Sequence, residues 1–143
     1  MLSSITERGA APALVKTLAF TGARLKVIAE NVANAHTPGY RARHLNVRGF
    51  QAALGKALAE RKHPAQPLVV ESGRQVRTGD DGRLRIMPEE QPVENVLFHD
   101  QTNLSIERQM ADLAETGMTH ELASTLLRAS YESLRKAIRG TVT

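Results

Sequence analysis

A seven-residue repeat of apolar side chains near the start of the chain constrains its fold more than any other feature. Between residues 11 and 35, one small or apolar residue recurs every seven positions and a second follows it by three, which is the a and d pattern of a coiled coil. Because a helix with one narrow apolar stripe is unstable alone in water, it must pack on another helix. The residues that we expect to form this N-terminal seam are Leu14, Leu18, Leu25, Ile28 and Val32.

A helix stop follows the repeat. Pro38 has no backbone N–H and disfavours helical geometry at Thr37, and Gly39 can adopt a positive φ. Together these residues favour a type II turn. We therefore expect residues 1–36 to form an N-terminal helix that begins with a capping box at Ser4. Because Gly9 and Pro12 interrupt its start, we expect either a short first turn that restarts with Pro12 near N1 or one helix that bends there. The turn after the helix then sends the chain away from the helix axis.

A second apolar seam, in residues 100–143, predicts a long C-terminal helix. The members of this seam alternate at spacings of three and four, and a possible N-cap precedes them at Asp100. An additional strip of Met118, Leu122 and Leu126 allows the helix to contact more than one neighbour. From the residues alone, the two seams can pair with each other or with helices of other copies. The pattern also passes through Gly117, His120 and Ser124, and we expect His120 to be a core or interface residue and not a metal ligand. The large side chains of the expected C-terminal seam are Ile106, Met110, Leu113, Leu127, Tyr131, Leu134 and Ile138.

The central segment, residues 37–99, is rich in proline and glycine and is the least helical part of the chain. Apolar spacing predicts one short helix at about residues 50–60. Two segments of alternating character flank the turn residues Gly79-Asp80-Asp81-Gly82, which predicts a β-hairpin over about residues 74–87. A two-stranded hairpin is marginal alone, so we expect it to be mobile or to pack on a larger element.

Composition narrows the class of protein. Aromatic residues make up only 3% of the chain, so burial must rest on aliphatic side chains, which favours helix-on-helix packing. Cysteine is absent, and the five histidines show no i, i+3 or i, i+4 pairing on a helix, so we expect no metal site. No nucleophile elbow or glycine-rich phosphate loop is present, so we expect no catalytic site and no cofactor.

Charge is distributed unevenly, with a net value of +4. Lys and Arg outnumber Asp and Glu by ten to three in residues 1–62 and are outnumbered twelve to nine in residues 63–143. This asymmetry favours contact between the two parts, within one chain or between copies. A basic helical nucleic-acid-binding module is the alternative interpretation, although no recognised binding motif accompanies the charge. The first eight residues lack the features of a cleaved signal peptide, so we expect any export to use another route.

The helix stop belongs to a longer motif. Residues 25–43 closely resemble the N-terminal signature of bacterial flagellar rod and hook proteins, which usually reads A-x-N-I/V-A-N-x-x-T-P-G-Y-K/R. The resemblance covers about residues 1–50 and 98–140, and the short chain is most similar to the proximal-rod members of the family. His36, Gln101 and His120 depart from the usual pattern. The characteristic positions of the signature are Asn31, Asn34, Thr37, Pro38, Gly39 and Tyr40.

This resemblance implies a structural subunit of the periplasmic basal-body rod, the helical drive-shaft tube that transmits torque for motility, and not an enzyme. The implied fold is mainly α, with the N- and C-terminal helices packed as an antiparallel coiled-coil-like pair and the central segment facing outward. The implied partners are copies of the chain, other rod proteins, the rod-base adaptor FliE, the nearby MS ring and the flagellar type III export apparatus, with no nucleic acid and no small-molecule substrate. Subunits of this kind are typically disordered at both ends before assembly.

Overall fold

The computed structural model describes residues 9–92 and 106–140, and it places three helices and five short strands in these ranges. Two long helices are the first and last elements, and small antiparallel sheets lie between them in sequence, which confirms the expected mainly α fold. In chain order the elements are α1 (Ala11–Ala33), β1 (Arg43–His44), α2 (Val47–Glu60), β2 (Glu71–Ser72), β3 (Val76–Thr78), β4 (Leu84–Ile86), β5 (Glu89–Glu90) and α3 (Ile106–Arg139).

Within the described residues, helix α1 begins where the sequence predicts a restart near Pro12. It begins at Ala11, and Pro12 lies in its first turn, where a missing N–H costs no helical hydrogen bond. It ends before Asn34, which is the C-cap residue. The capping residues expected at Ser4 and Asp100 lie outside the described residues.

Helix α2 begins three residues earlier than the apolar spacing indicates. The reason is a side-chain cap, because the Asn46 side chain accepts a hydrogen bond of 2.9 Å from the backbone N–H of Gly49. An N-cap of this kind satisfies one of the donors that a helix start leaves unpaired. The cap thus extends the helix beyond the limit of its apolar face.

The expected hairpin is present as strands β3 and β4. Val76 pairs with Ile86 and Thr78 pairs with Leu84 in antiparallel register. At the turn, the N–H of Gly79 donates to the carbonyl of Arg83 at 2.8 Å. Strand β2 pairs with β3 to make a three-stranded sheet, and β1 pairs with β5 in a separate two-stranded sheet. The additional strands allow the hairpin to pack as part of a larger unit.

The hydrophobic core joins α1 to the central segment. Phe20 of α1 stacks on Phe50 of α2, with ring centroids 4.1 Å apart and an angle of 1° between the ring planes. These two rings belong to a cluster of buried side chains that has no member in α3 within the described ranges. The members of the cluster are Phe20, Val27, Leu45, Phe50, Leu68, Val70 and Val76.

A buried lysine ties α1 to the hairpin turn. The Lys16 side chain is almost fully buried, and its Nζ donates a hydrogen bond of 2.7 Å to the carbonyl of Gly82. A buried ammonium group is costly unless its protons are bonded, so this contact fixes the position of the turn against the helix. The hairpin is therefore packed on α1.

Helix α3 has 34 residues and packs antiparallel to α1. The direction follows from two contacts, because Thr21 of α1 meets His120, whereas Asn31, ten residues later, meets Gln109. This confirms the expected antiparallel terminal pair. Neither α3 nor any other helix within residues 9–92 and 106–140 combines the length and apolarity that a bilayer crossing requires.

Candidate assembly interface

The signature segment ends α1 through local hydrogen bonds. The Asn34 side chain donates from Nδ2 to the Glu30 carbonyl at 2.8 Å, and the Thr37 N–H donates to the Asn34 carbonyl at 2.9 Å. Next, the Tyr40 N–H donates to the Thr37 carbonyl at 3.1 Å, and Gly39 has a φ of +74°. A positive φ at the third residue of a Pro-Gly turn is the requirement of a type II turn, so the predicted turn is confirmed.

Asn31 is the central residue of the signature segment. Its side chain is 1% exposed and uses all of its hydrogen-bonding capacity. The amide Nδ2 donates to the Arg43 carbonyl at 2.8 Å and to Gln109 Oε1 at 3.0 Å. The Oδ1 atom accepts from the Arg43 N–H and from the Tyr40 hydroxyl, each at 3.0 Å. One side chain therefore joins the end of α1, the strand that follows it and the start of α3.

Ion pairs support the exit of the chain from α1. The Arg43 guanidinium pairs with the Glu30 carboxylate, and Arg41 pairs with Glu90 at 3.4 Å. Both pairs are partly or largely exposed, so we expect each to contribute no more than about 1 kcal/mol to the free energy of unfolding. Their role is to orient β1 beside the helix and beside β5.

A line of polar contacts joins α1 to α3, and we call it the polar seam. Arg24 donates to Asp112 at 2.9 Å and to the Thr116 hydroxyl at 2.6 Å, and the Thr21 hydroxyl lies 2.8 Å from His120 Nδ1. The Arg24–Asp112 pair confirms that the basic first part of the chain contacts the acidic remainder. The polar seam comprises Thr21, Arg24 and Asn31 of α1 and Gln109, Asp112, Thr116 and His120 of α3.

The hydrogen-bond pattern indicates which nitrogen of His120 carries a proton. The Thr21 hydroxyl has a single proton and also lies 2.8 Å from the Thr17 carbonyl, which can only accept. Both contacts are satisfied together when Thr21 donates to Thr17 and His120 donates from Nδ1. His120 therefore acts as an interhelical hydrogen-bond partner in this pair of helices.

The apolar residues that the sequence predicts for the two seams differ in their exposure. In α1, Ile28 is buried, whereas Leu14, Leu18, Leu25 and Val32 are half-buried. In α3, Leu127 and Leu134 are half-buried. The remaining predicted α3 residues are exposed by 37% to 68%, and they are Ile106, Met110, Leu113, Tyr131 and Ile138.

The polar seam includes His120, which is a position of the expected C-terminal seam, and its other members lie beside the predicted apolar residues. Leu25 follows Arg24 by one residue, and Leu18 precedes Thr21 by three residues. Because each residue of a helix corresponds to a rotation of about 100°, both leucines point to one side of the polar seam. A signal for the observed face was available in the sequence, because Arg24 and Asn31 are seven residues apart. Gln109 and Thr116 are also seven residues apart, but their polar character does not register in a search for apolar repeats.

A second group of apolar residues on α3 also faces solvent. Met118 is 72% exposed, Leu122 is 61% exposed and Leu126 is 48% exposed. We call these three residues the outer strip of α3. Exposed apolar side chains at helical spacing on one element commonly mark a surface that contacts another protein.

One cavity in the described part of the chain is lined by charged side chains from different elements. A cavity of about 390 Å³ lies between α1, β1 and α3, and it is lined by Arg24, Arg43 and Asp112 among others. Arg24 and Arg43 are both engaged in ion pairs there. No group of three His, Asp or Glu side chains that could hold a metal occurs in residues 9–92 and 106–140.

Comparison with models of protein families gives a match over the first helix and the turn that follows it. Residues 14–41 match the family model of the flagella basal body rod protein. This range contains most of the α1 repeat and all six characteristic positions of the signature, from Asn31 to Tyr40. No curated protein matches the chain. The match supports a structural role in the flagellar basal body.

Proposed function

We propose that this chain is a structural, non-enzymatic subunit of the flagellar basal-body rod, because residues 14–41 match that family. The observation that carries the proposal is the combination of this match with a 34-residue helix whose large apolar side chains are mostly exposed. Exposed apolar surface on this scale is unfavourable in water and is stabilised when a neighbour covers it. Because the exposed apolar side chains of α3 need neighbouring subunits to cover them, we assign the chain a structural role.

The location of the apolar residues favours an open helical assembly. The outer strip of α3 and the half-buried Leu14, Leu18, Leu25 and Val32 of α1 lie on different elements. Contacts between two different patches of identical or similar subunits propagate from one copy to the next without closing. Such contacts build a tube, and a tube of packed helices can transmit torque.

We further propose a place for the subunit in the proximal rod. The signature and the stretch around residues 100–110 are most similar to the proximal-rod protein FlgB, and the second short rod protein, FlgC, is the nearest competitor. The proposed partners are copies of the chain, other rod proteins, the adaptor FliE and the MS ring. Export would use the flagellar type III apparatus, and the assembled subunit would lie in the periplasmic rod.

A charge placed in the outer strip tests the structural role. In a strain that lacks the native copy of this chain, Leu122→Glu should abolish swimming and remove the subunit from isolated basal bodies. The matched control Arg128→Gln lowers the net charge by the same amount at an exposed position on another side of α3, and it should leave swimming intact. The purified variants should keep the helicity of the parent chain, because neither side chain is buried.

Two outcomes distinguish the proposed rod function from the proposed proximal position within the rod. Normal swimming with Leu122→Glu and absence of the parent chain from basal bodies would reject the rod function. A density map of the basal body that contains this chain at another level of the rod would retain the rod function and reject the proximal position.

A further inference from the structure

We infer that the cavity between α1 and α3 binds one acidic side chain from a second copy of this chain. The cavity has a volume of about 390 Å³ and lies where α1, β1, the first turn of α2 and α3 meet. Its wall includes Arg24, Arg43, His44, Arg48 and Asp112, and we call it the arginine cavity. The rod supplies the second copy, so the inference deepens the proposed function and rests on it.

The first argument is the pairing of the arginines in this wall. Arg24 pairs with Asp112 at 2.9 Å, and the Arg43 guanidinium pairs with the Glu30 carboxylate. Arg48 lines the same cavity, and none of the ion pairs in the described part of the chain includes it. Arg48 therefore presents a positive charge that a further carboxylate can neutralise.

The second argument is the position of Arg48 at the start of α2. Arg48 is the second residue of this helix, and the first turn contains no acidic residue. The N-terminus of a helix carries a partial positive charge from its unpaired N–H groups, so a cation there is unfavourable and an anion is stabilised. A carboxylate beside Arg48 would offset both positive charges. The helix start and the arginine thus favour the same ligand.

The third argument is a buried nitrogen of His44. The Nδ1 atom of His44 is shielded from solvent and has no hydrogen-bond partner among the described residues. A buried polar atom without a partner is unfavourable, and most such atoms in folded proteins are hydrogen-bonded. Because His44 lines the arginine cavity, a carboxylate there can accept a hydrogen bond from the imidazole N–H.

The dimensions of the cavity suit a side chain. A volume of about 390 Å³ lies at the lower end of the range for ligand sites, and the cavity is partly open to the surface. An aspartate or glutamate side chain that enters from outside fits this space and supplies the single negative charge that Arg48 requires.

The exposed side of α3 offers such a carboxylate to a second copy. Glu121 and Glu132 are both exposed, and neither forms an ion pair with a described residue. They are about three helical turns apart and therefore lie on the same side of α3. A contact between this side and the arginine cavity joins two different surfaces of identical chains, so it can repeat from one copy to the next.

Carbodiimide coupling in isolated basal bodies tests the inference. Arg48→Lys keeps the positive charge and supplies a primary amine. The carbodiimide activates a carboxylate that contacts this amine, and the amine then displaces a urea and forms an amide bond, so that the carbodiimide takes up the elements of water. We expect a covalent dimer in which peptide mapping joins position 48 of one copy to Glu121 or Glu132 of another.

Arg77→Lys is the matched control, because it places an amine at an exposed position that does not line the arginine cavity. This variant should give no dimer through position 77. Coupling of position 48 to a carboxylate of its own chain or of a different protein would overturn the inference, and so would the absence of any product through position 48.

A charge reversal tests the same contact without a coupling reagent. Arg48→Glu should lower the amount of this chain in basal bodies by about fivefold, because an attractive charge pair becomes repulsive. Addition of Glu121→Arg or Glu132→Arg to the same chain should restore the amount, whereas Arg77→Glu alone should leave it unchanged. Failure of both additions to restore the chain would overturn the inference.

The coupling product also separates this inference from the rod function. Basal bodies that contain the chain but yield no dimer through position 48 would retain the rod function and overturn the inference. A dimer through position 48 in intact cells whose basal bodies lack the chain would retain the contact between copies and reject the rod function.

Discussion

Asn31 and Gln109 link the two terminal helices through a hydrogen bond of 3.0 Å between buried amide side chains that are 78 positions apart in sequence. The Asn31 side chain also hydrogen-bonds both the N–H and the carbonyl of Arg43. It therefore couples the segment that follows α1 to the first turns of α3. Asn31, one of the characteristic positions of the signature, therefore has a role inside the subunit.

Asn31→Ala should lower the free energy of unfolding by about 2–4 kcal/mol, because it leaves the Arg43 N–H, the Arg43 carbonyl and Gln109 without a buried partner. Chemical denaturation followed by circular dichroism measures this loss. Asn34→Ala is the matched control, and it should cost no more than about 1 kcal/mol because Asn34 is only half-buried and caps one helix end. Equal losses would refute a special role for Asn31.

Phe20→Ala should lower the free energy of unfolding by about 3–5 kcal/mol, since it opens a cavity beside the stacked Phe50 ring. Leu18→Ala changes a half-buried side chain of the same helix and should cost less than half as much. The comparison separates the face of α1 that packs on the core from the face that carries the predicted seam. A larger loss with Leu18→Ala would place the main burial on the predicted seam.

Two glycine substitutions should have opposite signs. Gly39→Ala forces an L side chain into a φ of +74° and should destabilise the chain by about 1–2 kcal/mol, although no atom lies within 4 Å of the new Cβ. Gly55→Ala also finds open space but lies in the interior of α2, so it should stabilise the chain by about 0.5–1 kcal/mol. Thermal melting of both variants provides the measurement. Destabilisation by Gly55→Ala would contradict the assignment of that position to a regular helix.

Lys16→Ala should lower the free energy of unfolding by about 2 kcal/mol, because it removes a buried side chain and its bond to the Gly82 carbonyl. Lys26→Ala changes an exposed lysine of the same helix and should fall within about 0.5 kcal/mol of the parent chain. Hydrogen exchange at the hairpin turn should rise only in the first variant. No change at the turn would show that Lys16 does not hold it.

Local features of the fold could be predicted from the sequence with good accuracy. The turn at Pro38-Gly39 and the hairpin around residues 79–82 were predicted correctly because each depends on the conformational preferences of a few adjacent residues. The start of α2 was misplaced by three residues because the Asn46 cap, and not the apolar face, determines it. Such boundaries depend on single side-chain contacts.

The candidate interface was harder to predict. The apolar repeat correctly indicates that α1 needs a partner, but Phe20 and Val27, which provide its core contacts, lie outside the predicted seam. The residues that hydrogen-bond to α3 are polar, and no search for apolar periodicity identifies Arg24 or Asn31 as contact positions. How the predicted apolar residues are used in an assembly stays a prediction.

The sequence by itself determined that two long helices flank a central segment with a turn after the first helix, because helix periodicity, proline and glycine act over short distances. Only the tertiary structure decided which face of α1 packs on the core and which face meets α3. That choice depends on side chains from distant parts of the chain, such as Phe50 and Gln109, that compete for the same helix. The central segment covers one face of α1, and the polar residues of α3 then occupy the face beside it.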